Sequence, residues 1–208
     1  MSKPMITIVD YGMGNLGSIR NMLKKVGAES EISADPACLR QAGKLILPGV
    51  GAFDAGMSSL EQSGLSSLLN ELVLEKKVPV LGICLGMHLM TQGSEEGKLR
   101  GLGWVQADTI RFTLPEDSTL KVPHMGWNRV KPCKESRLMK AADEEARFYF
   151  VHSYYVKCHA TGDSLLKSEH GHEFDAAFEV GNIMGVQFHP EKSHRFGMQL
   201  LSNFVSEY

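Results

Sequence analysis

The run Val78-Pro79-Val80-Leu81-Gly82-Ile83-Cys84-Leu85-Gly86-Met87 decides the fold. Residues 78–83 form an uninterrupted apolar stretch. Such a stretch has no solvent face to offer, so it suits a strand covered on both sides, as in the centre of a parallel sheet. Residues 85–92 can continue as a helix. Between the two stands Gly82-Ile83-Cys84-Leu85-Gly86, a nucleophile elbow in which cysteine takes the place of serine. The backbone of such a turn is strained, and side chains at 82 or 86 would collide with it. The turn lifts the thiol above the carboxyl edge of the sheet. It also sets Cys84 at a helix start, where the dipole and unpaired N–H groups favour a thiolate. The Leu85 N–H is then available to a developing oxyanion. An isolated cysteine is more often a buried core residue; here the flanking glycines and the strand-to-helix context favour catalysis.

Upstream, residues 5–10, 29–33 and 44–47 read as strands. Residues 15–26 read as a helix, with Leu16, Ile19, Leu23 and Val26 at helical spacing, and residues 60–75 as another, with Leu65, Leu68, Leu69 and Leu72 on one side. This alternation predicts an open α/β sheet with helices on both faces. Downstream, residues 104–112, 121–122, 147–151, 155–158, 164–167, 176–180 and 183–188 read as strands joined by short turns, several of them antiparallel. Residues 195–205 close as a helix with Phe196, Leu200, Leu201 and Phe204 on a shared face. The polar stretches 115–118 and 134–145 read as surface loops. With no repeat and no low-complexity linker, a single domain over 1–208 is expected.

The bulk properties exclude several classes. The chain has 208 residues, 43% of them hydrophobic, with 22 basic against 24 acidic side chains and a net charge of -2. That balance lacks the basic excess of a nucleic-acid or membrane-surface binder. No apolar run approaches the ~18 residues of a membrane span, and residues 1–10 lack the pattern of a signal peptide, so a cytoplasmic location is expected. Cys38, Cys84, Cys133 and Cys158 include no C-x-x-C pair. No metal site, no cofactor and no redox motif is expected, and each cysteine should be a free thiol.

A thiol with pKa ~8.5 needs a base or a lowered pKa to attack at neutral pH. His189 is the candidate, in Gly185-Val186-Gln187-Phe188-His189-Pro190-Glu191. It ends an apolar strand and so lies at a sheet edge. Pro190 restricts the turn to Glu191, which can accept from the imidazole and hold its tautomer, as the third member of a triad does. A lone histidine is usually structural; His-Pro-Glu after a strand, in the same chain as the elbow, argues otherwise. Folding must then bring the Cys84 sulfur and the His189 imidazole together at one sheet edge.

These motifs carry a resemblance over nearly the whole length to class I (triad-type) glutamine amidotransferases. Within that class the chain is similar to the glutaminase subunits of imidazole glycerol phosphate synthases. Besides the elbow and His-Pro-Glu, the shared runs are Val9-Asp10-Tyr11-Gly12-Met13-Gly14-Asn15-Leu16, Leu47-Pro48-Gly49-Val50-Gly51-Ala52-Phe53, Val122-Pro123-His124-Met125-Gly126-Trp127-Asn128, Tyr149-Phe150-Val151-His152-Ser153-Tyr154-Tyr155 and Gln187-Phe188-His189-Pro190-Glu191-Lys192-Ser193. The resemblance implies a flavodoxin-like, mostly parallel open sheet with additional antiparallel strands. It implies hydrolysis of L-glutamine to glutamate and ammonia by Cys84, His189 and Glu191. Leu85 N–H and a backbone N–H of the Gly49-Val50-Gly51 loop would hold the oxyanion. In the family this loop is held to rearrange when the partner binds its substrate; on local sequence alone Gly49 and Gly51 equally suit a plain tight turn. By motif match, His88, Glu96, His152, Ser153 and Tyr154 would contact glutamine, and Asn15, Trp127, Tyr149 and Lys192 would face the partner. Glu96 lies in a polar run and could be a surface charge; Trp127 and Tyr149 could be core aromatics.

The implied partner is a (βα)₈-barrel cyclase. It would receive the ammonia and form imidazole glycerol phosphate and AICAR in histidine biosynthesis, since 208 residues leave no room for a synthase domain. Two stretches depart from that pattern. The family usually has Gln four residues after the nucleophile, where this chain has His88, which could bind substrate or tune the thiol. The runs His194-Arg195-Phe196-Gly197-Met198 and Ala146-Arg147-Phe148-Tyr149 lean toward paralogous subunits that supply ammonia to surface-sugar synthases. A self-contained γ-glutamyl cysteine hydrolase is a third reading, which the Pro-Gly-Val-Gly and His-Met-Gly-Trp-Asn runs weigh against. A non-catalytic binding module is a fourth, opposed by the intact set of Cys84, His189 and Glu191.

Overall fold

The computed structural model describes residues 5–141 and 145–208. In chain order its elements are β1 (Ile6–Val9), α1 (Leu16–Lys25), β2 (Ser30–Ser33), α2 (Pro36–Leu39), β3 (Lys44–Leu47), α3 (Phe53–Gln62), α4 (Ser66–Asn70), β4 (Val80–Ile83), α5 (Leu85–Leu89), β5 (Ala107–Arg111), β6 (His124–Arg129), β7 (Lys131–Pro132), β8 (Arg147–His152), β9 (Tyr154–Cys158), β10 (Ser164–Glu169), β11 (Glu173–Val180), β12 (Ile183–Val186) and α6 (His194–Glu207). The main sheet runs β2-β1-β3-β4-β12-β11-β10-β7. From β2 to β12 every pairing is parallel; from β12 to β7 every pairing is antiparallel. β9 joins β11 and carries β5, while β6 and β8 form a separate antiparallel ribbon.

Alternation along the parallel strands divides the apolar side chains between two cores. Ile6, Ile8, Ile46, Leu81, Ile83, Met184 and Val186 face α1 and α6, meeting Ile19, Leu23, Leu200, Leu201 and Phe204. Val9, Leu45, Leu47, Val80 and Ile183 point the other way, onto Phe53, Met57 and Leu60 of α3, Leu68 and Leu69 of α4, and Leu85 and Leu89 of α5. Strands buried on both faces explain why residues 78–83 read as a continuous apolar run. Each such side chain contributes about 1.5–3 kcal/mol by leaving water. The two layers fix β4 and β12 side by side, and so fix the segments that emerge from their carboxyl ends.

Two expectations need correction, and one strand is additional to them. The helix expected over 60–75 begins earlier and is broken: α3 ends at Gln62, Gly64 takes φ +71°, and α4 runs into a π-helical turn over Glu71–Glu75. The leucine spacing continues across a left-handed glycine that stops the helix. Residues 121–122 are not a strand; Pro123 follows them and has no N–H for a ladder. The ribbon strand β6 was not anticipated. Its less exposed positions are His124, Gly126 and Asn128, so it carries no apolar alternation to read. The polar stretch 134–145 holds a 3-10 turn over Arg137–Met139; its residues 142–144 lie outside the described residues, as do residues 1–4 of the N-terminal reading. Among the described residues no helix is long and apolar enough to cross a membrane.

Candidate active site

Cys84 sits between β4 and α5 with φ +54° and ψ −111°. For a residue with a Cβ this conformation costs about 1–3 kcal/mol and persists only where its surroundings over-determine it. They do so here. Cys84 N–H donates to Val186 O at 2.8 Å, and Cys84 O accepts from His88 N–H at 3.2 Å. A Cβ on Gly86 would lie 1.8 Å from Leu47 O, and one on Gly82 would lie 2.8 Å from the Met90 sulfur and 2.9 Å from Gly86 C. The two glycines are thus required by close approach, while the left-handed angle falls on the cysteine itself. Cys84 is buried but reaches a cavity.

The register of β12 on β4 places Val186 opposite Ile83. Three residues later the chain delivers His189 to the same sheet edge. His189 N–H donates to Tyr149 O at 3.0 Å. Its Nδ1–H donates to Glu191 Oε1 at 2.8 Å, with side-chain exposures of 2% and 3%. The carboxylate can only accept, so Nδ1 carries the proton and Nε2 is the nitrogen left for proton exchange at the cavity. Burial pulls the imidazole pKa down, but the bonds and charges of Cys84 and Glu191 outweigh it and lift the value to about 9. Glu191 Oε2 is buried with no hydrogen-bond partner, an unmet acceptor that keeps negative potential beside the ring.

A cavity of about 370 Å³ opens onto these groups. Of the residues expected at the site, Val50, Gly51, Leu85, His88, Glu96, His152, Ser153, Tyr154 and Lys192 line it with Cys84 and His189. Gly49 stands behind the wall, where a Cβ would meet Tyr11 Oη at 2.7 Å and Gly86 N at 2.9 Å. Gly51 has φ +110°, so here the backbone angle demands glycine. Tyr11 Oη–H donates to Pro48 O at 2.6 Å and fixes the start of this loop. Burial, and then the charge of Cys84, raise the Tyr11 pKa.

Glu96 is no loose surface charge: Oε2 accepts from Phe53 N–H at 2.9 Å, capping α3 while the residue lines the cavity. His152 lines the cavity, while its ring is held within the fold. Its Nδ1–H donates to Tyr154 O at 2.8 Å and its Nε2 accepts from His124 Nδ1–H at 2.9 Å, so neither ring nitrogen is left for a ligand. Burial, chiefly, drives the His152 pKa well down, and that of His124 to about 4. His88 Nε2 lies 2.7 Å from Gln187 Oε1. Burial lowers the His88 pKa to about 4, so the ring is neutral at working pH.

The residues expected to face a partner lie at or beside this edge. Asn15 Oδ1 caps α1 by accepting from Ser18 N–H at 3.4 Å. Trp127 is 43% exposed, not a core aromatic. It stacks on His194 at 5.5 Å with planes 7° apart and meets Tyr149 edge-on at 6.3 Å. Lys192 Nζ lies 5.7 Å from the Tyr149 ring centre. Sequence reasoning missed Gln187, Tyr11 and Ser193. The first is a fully buried polar residue at the end of an apolar strand, and that incongruity was the available signal. Ser193 Oγ–H donates to His189 O at 2.7 Å and accepts from Tyr149 N–H at 3.0 Å. Among the described residues no group of His, Cys, Asp and Glu could hold a metal ion.

Comparison with known proteins gives the family. The chain is 53% identical over 203 residues, 98% of its length and 100% of the relative, to "Imidazole glycerol phosphate synthase subunit HisH 2" of Methanococcus maripaludis. It is 52% identical over 201 residues, 97% and 98% of the two chains, to the subunit of the same name in Pseudomonas aeruginosa. Among solved structures it superposes on PurLQS from Thermotoga maritima with TM-score 0.75 at 16% identity, covering 99% of each chain. A glutamine amidotransferase of the same organism gives TM-score 0.66 at 16% identity, over 100% of this chain and 84% of that one. The likeness at such identities is one of fold. The profile described as "Glutamine amidotransferase class-I" matches residues 7–208, and by that match and these relatives the chain belongs to the class-I glutamine amidotransferase family.

Proposed function

We propose that the chain is the glutaminase subunit of an imidazole glycerol phosphate synthase, working in the cytoplasm beside a (βα)₈-barrel cyclase that consumes its ammonia. One observation carries the catalytic part: Cys84 and His189 line one cavity, and Glu191 holds the His189 ring from behind at 2.8 Å. Cys84 as thiolate attacks the side-chain amide carbon of glutamine. The oxyanion forms near the Leu85 N–H at the start of α5, with a backbone N–H of residues 49–51 as second donor. His189, holding its proton with a pKa of about 9, passes it to the departing nitrogen. Ammonia leaves and a glutamyl thioester remains. His189 then takes a proton from water, the hydroxide adds to the thioester, and collapse expels the thiolate with glutamate. Glu191 keeps Nδ1 protonated throughout, so only Nε2 exchanges the proton. Ser153, Tyr154 and Glu96 are the polar wall for the α-amino and α-carboxylate groups.

The test is glutamine hydrolysis by the chain alone and with a cyclase and its ribonucleotide substrate. Cys84→Ala should abolish glutamine-dependent synthesis and spare ammonia-dependent synthesis by the partner. Hydrolysis surviving in that variant removes the nucleophile assignment; no stimulation by the cyclase removes the partner assignment.

A second reading changes only the ammonia acceptor. The two stretches that lean toward surface-sugar paralogues converge: Arg147, His194, Arg195 and Phe196 line one hollow with Trp127. If this surface selects the synthase, stimulation by a sugar-modifying partner and not by the histidine-pathway cyclase would decide for it.

A further inference from the structure

The interior wall behind Cys84 holds a polar group that the mechanism above does not use. Gln187 is fully buried. Its Nε2 lies 3.9 Å from Cys84 Sγ and its Oε1 lies 2.7 Å from His88 Nε2. Its backbone N–H donates to Ala176 O at 2.9 Å, which pins the residue to the β11 side of the sheet. His88 is itself buried, one helical turn beyond the nucleophile.

Resting on the reading of Cys84 as nucleophile, we propose that Gln187 is a catalytic residue donating a hydrogen bond to the Cys84 sulfur, and that His88 is its positioning residue, fixing which end of the Gln187 amide faces that sulfur. An amide has a donor end and an acceptor end. A thiolate is stabilised by the donor end and repelled by the acceptor end. With a proton on His88 Nε2, the Gln187 oxygen must turn toward His88, and the NH₂ group is left for sulfur. The imidazole proton and the amide orientation are therefore locked together. In the opposite arrangement the carbonyl would face sulfur, and the thiolate would lose the Gln187 donor that stands beside it on the interior side. Both groups are dry, and a charge-assisted bond to sulfur is stronger there than in water. His88 then replaces the residue usual at its position by acting on the thiol through Gln187, not on the substrate.

The experiment is the pH dependence of Cys84 alkylation by iodoacetamide in the full chain, quantified on the Cys84 peptide by mass spectrometry, with circular dichroism confirming the fold of each variant. Gln187→Leu should move the midpoint up by about one pH unit, a tenfold loss of thiolate below it. Gln187→Glu, which offers sulfur only oxygen, should move it further. His88→Phe should shift it the same way by less. His88→Gln, whose NH₂ can donate to Gln187 Oε1, should restore the wild-type profile. If Gln187→Leu does not fold, Gln187→Glu and the His88 pair carry the test. Unchanged profiles in folded Gln187→Glu and His88→Phe overturn the proposal, as does a His88→Phe variant that changes only KM for glutamine. Failure of the underlying reading looks different: Cys84→Ala would still hydrolyse glutamine.

Discussion

Two backbone segments meet at the cavity from neighbouring strands, and they are built in opposite ways. The elbow after β4 is crowded on every side: Leu47 O lies where a Gly86 Cβ would be, and Met90 presses on Gly82. The loop after β3 is held at its two ends, by Tyr11 on Pro48 and by Glu96 on the Phe53 N–H. Between those ends Val50 is 45% exposed, and a Cβ added to Gly51 would meet only Met13 Cε, at 3.3 Å. The nucleophile is thus over-determined by packing, while the segment expected to supply the second oxyanion donor has room to change conformation. A site divided this way can keep its thiol ready and control turnover through the other arm.

Gly86→Ala should have the largest effect. The obstructing atom is backbone, so β3 and β4 must part. A loss of about 3 kcal/mol or more, read from the urea midpoint, should accompany loss of glutamine hydrolysis. Wild-type stability in that variant would break the contrast. Gly51→Ala should be milder. Its φ of +110° is costly for alanine, about 1 kcal/mol. It should change the ratio of partner-stimulated to basal hydrolysis while Cys84 alkylates at the wild-type rate. If alkylation fell in step with hydrolysis, the two arms would not be separable.

The subtlest change in sequence tests stability against pH. His88 and His124 are held neutral with pKa values lowered to about 4. The stability they contribute is complete above about 6.5 and is lost as pH falls toward 4, by up to about 1.4 kcal/mol per pH unit for each. His189 acts with the opposite sign. Its value is raised to about 9, so its contribution is complete below about 6.5 and is lost as pH rises through 9. Thermal melts from pH 4 to 10 should peak near pH 6.5, and His88→Gln should flatten the acid limb. An acid limb unchanged in that variant would remove His88 from the account.

The elbow, the parallel strands and the His-Pro-Glu turn were legible because each is written in a few adjacent residues whose chemistry admits little else. The ribbon of β6 and β8 was half legible: β8 alternates in burial, with Phe148 and Phe150 inward, whereas β6 turns histidine, glycine and asparagine inward. The role proposed for Gln187 is not written in its sequence neighbours, because it exists only across the β4–β12 register and the turn of α5 that carries His88. Tyr11 is similar: its hydroxyl matters through a carbonyl 37 positions away. Contacts that span the chain leave no periodic trace.

The backbone of His189 is also tied to the ribbon. Tyr149 O holds the amide of His189, and Ser193 bridges the carbonyl of His189 to the amide of Tyr149. Tyr149 lies opposite Trp127 in the ribbon, and Trp127 is open to solvent. Whatever grips the tryptophan from outside takes hold of a lever whose short arm ends at the proton-transfer group. The molecule's outer surface and its reacting atoms are thereby separated by one strand pair.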